Sequence, residues 1–337
     1  MAKSYKFMKR MVWGVAIVAV VLGALWFIPV SAVVVAPGIT GDLAQMVKVR
    51  GGHPSQRGRL LMVAVTIARA NEFLQLASHV DHNFELVPQS LALGGLSMKQ
   101  YVQYNLSLMH QSHLAAEVAG EHLAGLPARM VTVPGALVAA VSKKGTAFHK
   151  IQPGDLIVKI GSYKVASPSD VRAIMQKHFK VGEIVNFTVV RHGQQVVIPI
   201  KTTTIPHDPA PGIGVLISTL QRPVVPRPVT IKTTNIGGPS AGMMMALEIY
   251  QQITGKTLAH GHIVAGTGEV TPSGQVLPIG GVAQKVITVH RAGATVFLVP
   301  QKNYRKAEWM NHLKGYHMKI YPVTSLTQAL HILRTKV

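Results

Sequence analysis

From Met11 to Ala36 the chain carries no charged side chain, and this run constrains what the remainder can do more than any other feature. Its first part, Met11 to Ile28, would span roughly 27 Å as a helix, close to the hydrocarbon thickness of a bilayer. The run exceeds the usual apolar region of a secretory leader, and Pro29-Val30-Ser31-Ala32 is a poor cleavage match. A retained single crossing over residues 11–29 is therefore expected. Lys3, Lys6, Lys9 and Arg10 lie in the basic segment 1–10, with no comparable cluster just after the run, so the positive-inside rule leaves the N-terminus cytoplasmic. Everything beyond about residue 36 is then expected on the outer face of the cell membrane. The absence of cysteine fits an exported chain, although a cytosolic one would satisfy it equally.

The 337 residues leave room for two folded units, and 48% hydrophobic against 14% charged residues excludes a disordered chain. A net charge of +21 raises nucleic acid as a partner, but the 34 Lys and Arg are scattered and no nucleic-acid-binding motif accompanies them. No nucleic acid is expected; an anionic envelope or lipid surface suits the charge better, beside the plain alternative of solubility.

Val30 to Ala36 reads as a strand broken at Pro37-Gly38, and Arg59 to Ile67 is an apolar run of buried-strand length. Together they predict a hairpin over 30–69. Residues 70–128 read as a helical connector: Met98, Val102, Leu106 and Met109 recur at helical spacing, and Gly125 and Pro127 close the segment. His110, His113 and His122 on it have no cysteine or carboxylate set of recognisable spacing beside them, and no metal is assigned.

Residues 129–203 read as a β-rich unit, with strands at Ala136–Val141, Leu156–Ile160, Val185–Arg191 and Gln195–Ile200 and a helix after Ser167-Pro168. Gly135-Ala136-Leu137-Val138, Gly145-Thr146-Ala147 and Gln152-Pro153-Gly154-Asp155-Leu156-Ile157 up to Gly161 resemble a PDZ domain. That resemblance implies a module that takes a peptide as an extra strand, its terminal carboxylate received by the loop Gly135, Ala136, Leu137 and Val138. The loop departs from the family in lacking a second glycine.

The densest chemical signal is Ile236-Gly237-Gly238-Pro239-Ser240-Ala241-Gly242, followed by helical spacing of Met243, Leu247 and Tyr250 and a stop at Gly255. Ser240 falls at a helix N-terminus, where Gly238 lets a substrate approach and Pro239 favours helix initiation. The free N–H groups of the first turn suit a developing oxyanion there. A second block, Gly266-Thr267-Gly268-Glu269, leads through Gln275 to Gly281 into a helix whose first turn holds Lys285, flanked by Val282, Val286 and Val289. Apolar surroundings and the positive helix end both disfavour the ammonium form, the condition for lysine to act as a base near neutral pH.

These blocks, over about residues 211 to 305, resemble the proteolytic domain of the Lon peptidase family. The resemblance implies a serine peptidase in which Ser240 is the nucleophile and Lys285 the general base, with Thr267 orienting the amine and an acyl-enzyme intermediate. Such a dyad needs no cofactor. The order of membrane helix, PDZ and Lon-type core is similar to the ATP-independent, membrane-anchored Lon-like peptidases of Gram-positive bacteria. Gly255-Lys256-Thr257 imitates the end of a phosphate loop, but the motif's first glycine would fall at Tyr250 inside a helix, so ATP coupling is not expected.

The expected architecture is α+β: a Lon-type domain over 204–337 joined by the 30–69 hairpin, with the connector and an inserted PDZ-like domain between them and one N-terminal transmembrane helix. The expected function is endoproteolysis of exported or membrane-proximal polypeptides, the PDZ selecting or gating substrate. The rival is a catalytically inactive, membrane-tethered PDZ scaffold or holdase. Lon-type cores often form rings, so a homo-oligomer stays open.

Overall fold

The computed structural model describes residues 11–14, 16–17, 20–21, 23–54, 57–94, 96–205 and 208–337. The basic residues Lys3, Lys6, Lys9 and Arg10 lie outside them, as do four positions of the expected crossing. Among the described residues no helix is long and apolar enough to cross a membrane.

The chain divides into two compact units, one of residues 1–129 and 225–337, the other of residues 130–224. In chain order the first unit opens with strand β1 (Pro29–Asp42), strand β2 (Arg59–Asn71), short strand β3 (Glu85–Pro88) and helix α1 (Met98–Leu123). The second unit contains β4 (Arg129–Val141), β5 (Leu156–Ile160), α2 (Pro168–His178), β6 (Ile184–Arg191), β7 (Gln194–Lys201) and β8 (Val215–Val224). The first unit then resumes with α3 (Gly242–Thr254), β9 (Ile263–Gly266), α4 (Val282–Arg291), β10 (Val296–Pro300), α5 (Tyr304–Leu313), β11 (Lys319–Val323) and α6 (Leu326–Thr335).

One six-stranded sheet, in the order β11-β10-β9-β2-β1-β3, runs through the first unit. Its C-terminal strands are parallel to one another and β9 is parallel to β2, whereas β1 pairs antiparallel with β2 and β3. The early hairpin thus completes the C-terminal sheet. Pro37-Gly38 does not break β1: a register shift falls between Pro37 and Thr40, and the strand continues to Asp42. Gly38 is required there, because a Cβ would lie 2.3 Å from the Ala64 carbonyl oxygen.

The segment expected to be a plain connector is part of this unit. Within it Glu85–Pro88 is a strand of the sheet, and α1 packs along α3 so closely that a Cβ on Gly120 would meet the Ala246 carbonyl oxygen at 2.7 Å. The core between them includes Met109, Ala116, Ala119, Met243, Met245 and Leu247. A buried carboxyl secures the other side of α3: Glu248 accepts hydrogen bonds from Gln252 (2.7 Å) and Gln251 (3.0 Å). Gln252 in turn receives the Val49 N–H at 3.0 Å and donates to the Val47 carbonyl at 2.9 Å, fixing the short strand Val47–Val49. Burial pushes the Glu248 carboxyl up to about 7.

The second unit is a sheet ordered β8-β4-β5-β6-β7, with β8 at its edge. It runs on to Val224, beyond residue 203, because β8 pairs with β4. Buried Asp155, from the Gly-Asp step of the sequence pattern, takes a bidentate pair from Arg191 at 2.8 and 2.7 Å and receives the Gln152 N–H at 2.9 Å. That locks the turn ahead of β5.

Candidate active site

Three segments far apart in sequence meet at the end of the six-stranded sheet. Thr267 follows directly after β9, its N–H bonded to the Leu298 carbonyl of neighbouring β10 at 2.9 Å. Lys285 lies in the first turn of α4, whose Val282, Val286 and Val289 are buried in the core as their spacing predicts. That helix is moored to β1, the Gly38 N–H donating to Thr288 Oγ1 at 3.0 Å. Ser240 stands two residues ahead of α3, which begins at Gly242 rather than at Pro239.

Lys285 Nζ donates to Ser240 Oγ at 2.7 Å and to Thr267 Oγ1 at 2.9 Å. Thr267 Oγ1 donates to the Ser240 carbonyl at 3.1 Å, and the Gly268 N–H reaches the same oxygen at 2.7 Å. The reciprocal bond from Met243 N–H to the Gly268 carbonyl, at 3.0 Å, stitches the nucleophile segment to the threonine segment. Lys285 is 2% exposed and Thr267 fully buried, while Ser240 is only partly covered. Burial is the cause that brings the Lys285 amine down from 10.5 to about 7. A neutral amine within hydrogen-bonding reach of a hydroxyl open to a cleft has the geometry to activate that hydroxyl as a nucleophile.

The cleft has a volume of about 620 Å³. Val33 and Val35 of β1 and Met62, Val63, Ala64, Val65 and Ile67 of β2 line one wall. Tyr101, Val102, Asn105, Leu106 and Met109 of α1 line another, at helical spacing, and the dyad and Gly237 to Ala241 close the end. The walls therefore suit an extended chain with apolar side chains.

Of the residues singled out in the sequence, Ser240, Lys285, Thr267, Gly238, Pro239 and Ala241 come together. Gly238 has φ of +90°, a conformation that favours glycine. The peptide-loop assignment does not fit: Gly135, Ala136, Leu137 and Val138 lie within strand β4, where Ala136 and Leu137 pair with Ile157 and Leu156. The short aliphatic run follows a strand period and is buried as one. A cavity of about 130 Å³ in the second unit lies elsewhere, between α2 and the start of β8. Val171 and Met175 of α2, Phe187 of β6, and Ile213, Gly214, Val215 and Ile217 line it. Gly214 has φ of +78° and would carry a Cβ 2.5 Å from Gly145 Cα, so this turn, Gly212-Ile213-Gly214-Val215, tolerates only glycine there. Its two glycines are the signal the sequence offers for that turn.

Sequence reasoning also missed the contribution of α1. The Asn105 carbonyl accepts the Gly238 N–H at 2.8 Å, Ser112 Oγ donates to the Pro239 carbonyl at 3.0 Å, and His113 Nε2 lies 2.9 Å from Thr233 Oγ1. His113 is half-buried, and burial lowers its imidazole to about 4; His110 and His122 are exposed.

Comparison with known proteins agrees with this geometry. Residues 227–335 match the family model of the Lon protease (S16) C-terminal proteolytic domain, and residues 108–202 match the PDZ domain model. Lon protease 1 of Herpetosiphon aurantiacus is 50% identical over 20% of this chain and 8% of its own length. Lon protease of Brevibacillus choshinensis is 37% identical over 29% of this chain and 12% of its own. The chain thus spans about a tenth of the length of these curated relatives. The solved PDZ domain of an SdrC-like protein from Listeria monocytogenes is 28% identical, with 26% of this chain and 90% of that chain covered and a TM-score of 0.24. The PDZ match begins inside α1 and stops short of β8, which completes the second unit's sheet. The chain therefore carries a Lon-type serine peptidase domain together with a PDZ domain.

Proposed function

Starting from a Lon-type proteolytic domain and a PDZ domain in one chain, we propose a membrane-anchored, ATP-independent serine endopeptidase that cleaves exported or membrane-proximal polypeptides. The observation that carries the reading is the 2.7 Å contact from the buried Lys285 amine to Ser240 Oγ. Ser240 Oγ attacks the scissile carbonyl as its proton passes to neutral Lys285, and the carbonyl becomes a tetrahedral oxyanion. The Lys285 ammonium then protonates the leaving amine, leaving an acyl-Ser240 ester. Water, deprotonated by the same amine, hydrolyses the ester and restores Ser240. Thr267 holds the amine in line through its 2.9 Å contact.

Anchoring is supported by the uncharged run from Met11 and by the exposure of its apolar side chains, Trp13 at 63%, Val20 at 72% and Phe27 at 83%. ATP independence is supported by the Gly255-Lys256-Thr257 segment, where Gly255 is a left-handed helix cap at φ of +68° rather than part of a phosphate cradle. The full chain in detergent, without nucleotide, is expected to cleave a library of unstructured peptides. A folded protein that cleaves none, with or without ATP, would instead favour the tethered scaffold.

The second unit supplies substrate selection. Its groove pairs an edge strand, β8, with an apolar cavity and a glycine turn, the combination that receives a chain terminus as an added strand. Ile217→Asp is expected to weaken binding of apolar C-terminal peptides at least about tenfold, since a carboxylate would be buried against the ligand. Equal affinity of parent and variant, measured by fluorescence anisotropy, would place peptide capture elsewhere.

A further inference from the structure

Both peptide units flanking Ser240 are held by side chains, but by different parts of the fold. The carbonyl after it, its own, is gripped by Gly268 N–H at 2.7 Å and Thr267 Oγ1 at 3.1 Å. The carbonyl before it, of Pro239, accepts Ser112 Oγ at 3.0 Å and, more weakly, the Gly242 N–H at 3.3 Å. Ser112 belongs to α1 and is 3% exposed, with a hydroxyl in hydrogen-bonding contact with the nucleophile segment. Gly242 keeps the space for that hydroxyl: a Cβ there would sit 2.7 Å from Ser112 Oγ.

The Pro239 carbonyl and the Ser240 N–H form one rigid peptide plane, in which the two groups point in opposite directions. Fixing the carbonyl fixes where the N–H aims. Among the described residues no backbone carbonyl accepts the Ser240 N–H, which leaves it available to a ligand at the nucleophile. Donation into the Pro239 carbonyl also polarises the plane and strengthens that N–H as a donor. Neighbouring contacts from the same helix, the Asn105 carbonyl on Gly238 and His113 on Thr233, hold the rest of the approach segment.

We propose that Ser112 is a positioning residue of the peptidase: it orients the Pro239–Ser240 peptide so that the Ser240 N–H receives the oxyanion of the tetrahedral intermediate. The proposal rests on the peptidase reading and adds to it a role for α1, which supplies no reacting group.

The test uses the full chain in detergent, with a peptide that the parent cleaves and a peptide boronate whose tetrahedral adduct places an oxygen at the oxyanion position. Rates are normalised to titrated active sites. Ser112→Ala is expected to lower kcat about 10- to 100-fold, somewhat less than outright loss of an oxyanion donor. KM should stay within about twofold and boronate affinity fall by the same factor as kcat, because only the transition state carries the new charge. The pH midpoint of activity should not move, since the dyad is untouched. Ser112→Thr, which keeps the hydroxyl, should recover most of the rate. Parent-like kcat and boronate affinity in Ser112→Ala would overturn the proposal, as would a shifted pH midpoint or a loss confined to KM. Should Ser112→Ala fail to fold, Thr against Val at the same position decides it by the same readouts. A parent that cleaves no peptide removes the peptidase reading itself, a different outcome from a parent and Ser112→Ala that cleave equally.

Discussion

Ser240→Ala and Lys285→Met should each lower kcat/KM by about 10⁴-fold or more, and the double variant should be scarcely worse than either single one, because nucleophile and base act as a unit. The geometry leaves no substitute for either partner. Ser240 Oγ is the hydroxyl that meets both the cleft and the amine, and Thr267 Oγ1, the other hydroxyl on Lys285, is fully buried and engaged with the Ser240 carbonyl. Lys285→Met keeps an unbranched side chain of similar length at a position only 2% exposed, on a helix whose Val282, Val286 and Val289 are buried in the core, so the fold should survive. Steady-state cleavage with circular dichroism and thermal melts checks both claims. A folded Lys285→Met protein with even a tenth of parent activity would exclude the lysine as base.

Activity of the parent should rise with pH through about 7 and fall about tenfold per unit below it, reaching about one hundredth of its plateau near pH 5, since only neutral Lys285 accepts the Ser240 proton. Stability follows from the same shift, with its sign set by the lowered value. The folded-state amine titrates near 7 and the unfolded one near 10.5, so between these values the unfolded chain binds the extra proton. Stability therefore drops as pH falls through that window, and the full cost is present below about 7. Lys285→Met removes the cost and should melt higher than the parent at pH 7, with the gap narrowing toward pH 10. A pH profile of kcat/KM with its midpoint above 9, or a Lys285→Met protein that melts lower at pH 7 and equally at pH 10, would show that the amine is not desolvated.

How much of this was legible depends on how local each signal is. Ser240 and Lys285 stand out because each sits inside a short block whose glycines, turn residues and helix start serve that one position, whereas Thr267 is singled out by the family resemblance. Strands β4 to β7 of the second unit and the start of α2 after Ser167-Pro168 were readable for the same local reason, as was the helix from Met98 closed by Gly125 and Pro127. Misreadings arose where one pattern serves two geometries. Gly135 to Val138 has the glycine and aliphatic residues of a binding loop, yet pairs as strand; Pro37-Gly38 has the residues of a strand break, yet β1 runs on to Asp42.

The residue blocks alone were enough to single out which hydroxyl and which amine come together, and to expect buried valines on the helix that carries the amine. The sequence also determined the periodicities that make α1, α3 and α4 helices. Tertiary structure decided what those periodicities could not state. The hairpin before the second unit and the strands after it form one sheet because β2 and β9 pair across that unit. The helix between β3 and β4 became a wall of the cleft and a clamp on the nucleophile segment. A hydrogen bond such as Ser112 to Pro239 joins residues with no shared motif and no fixed spacing, so it leaves no trace until packing brings α1 against the segment ahead of α3.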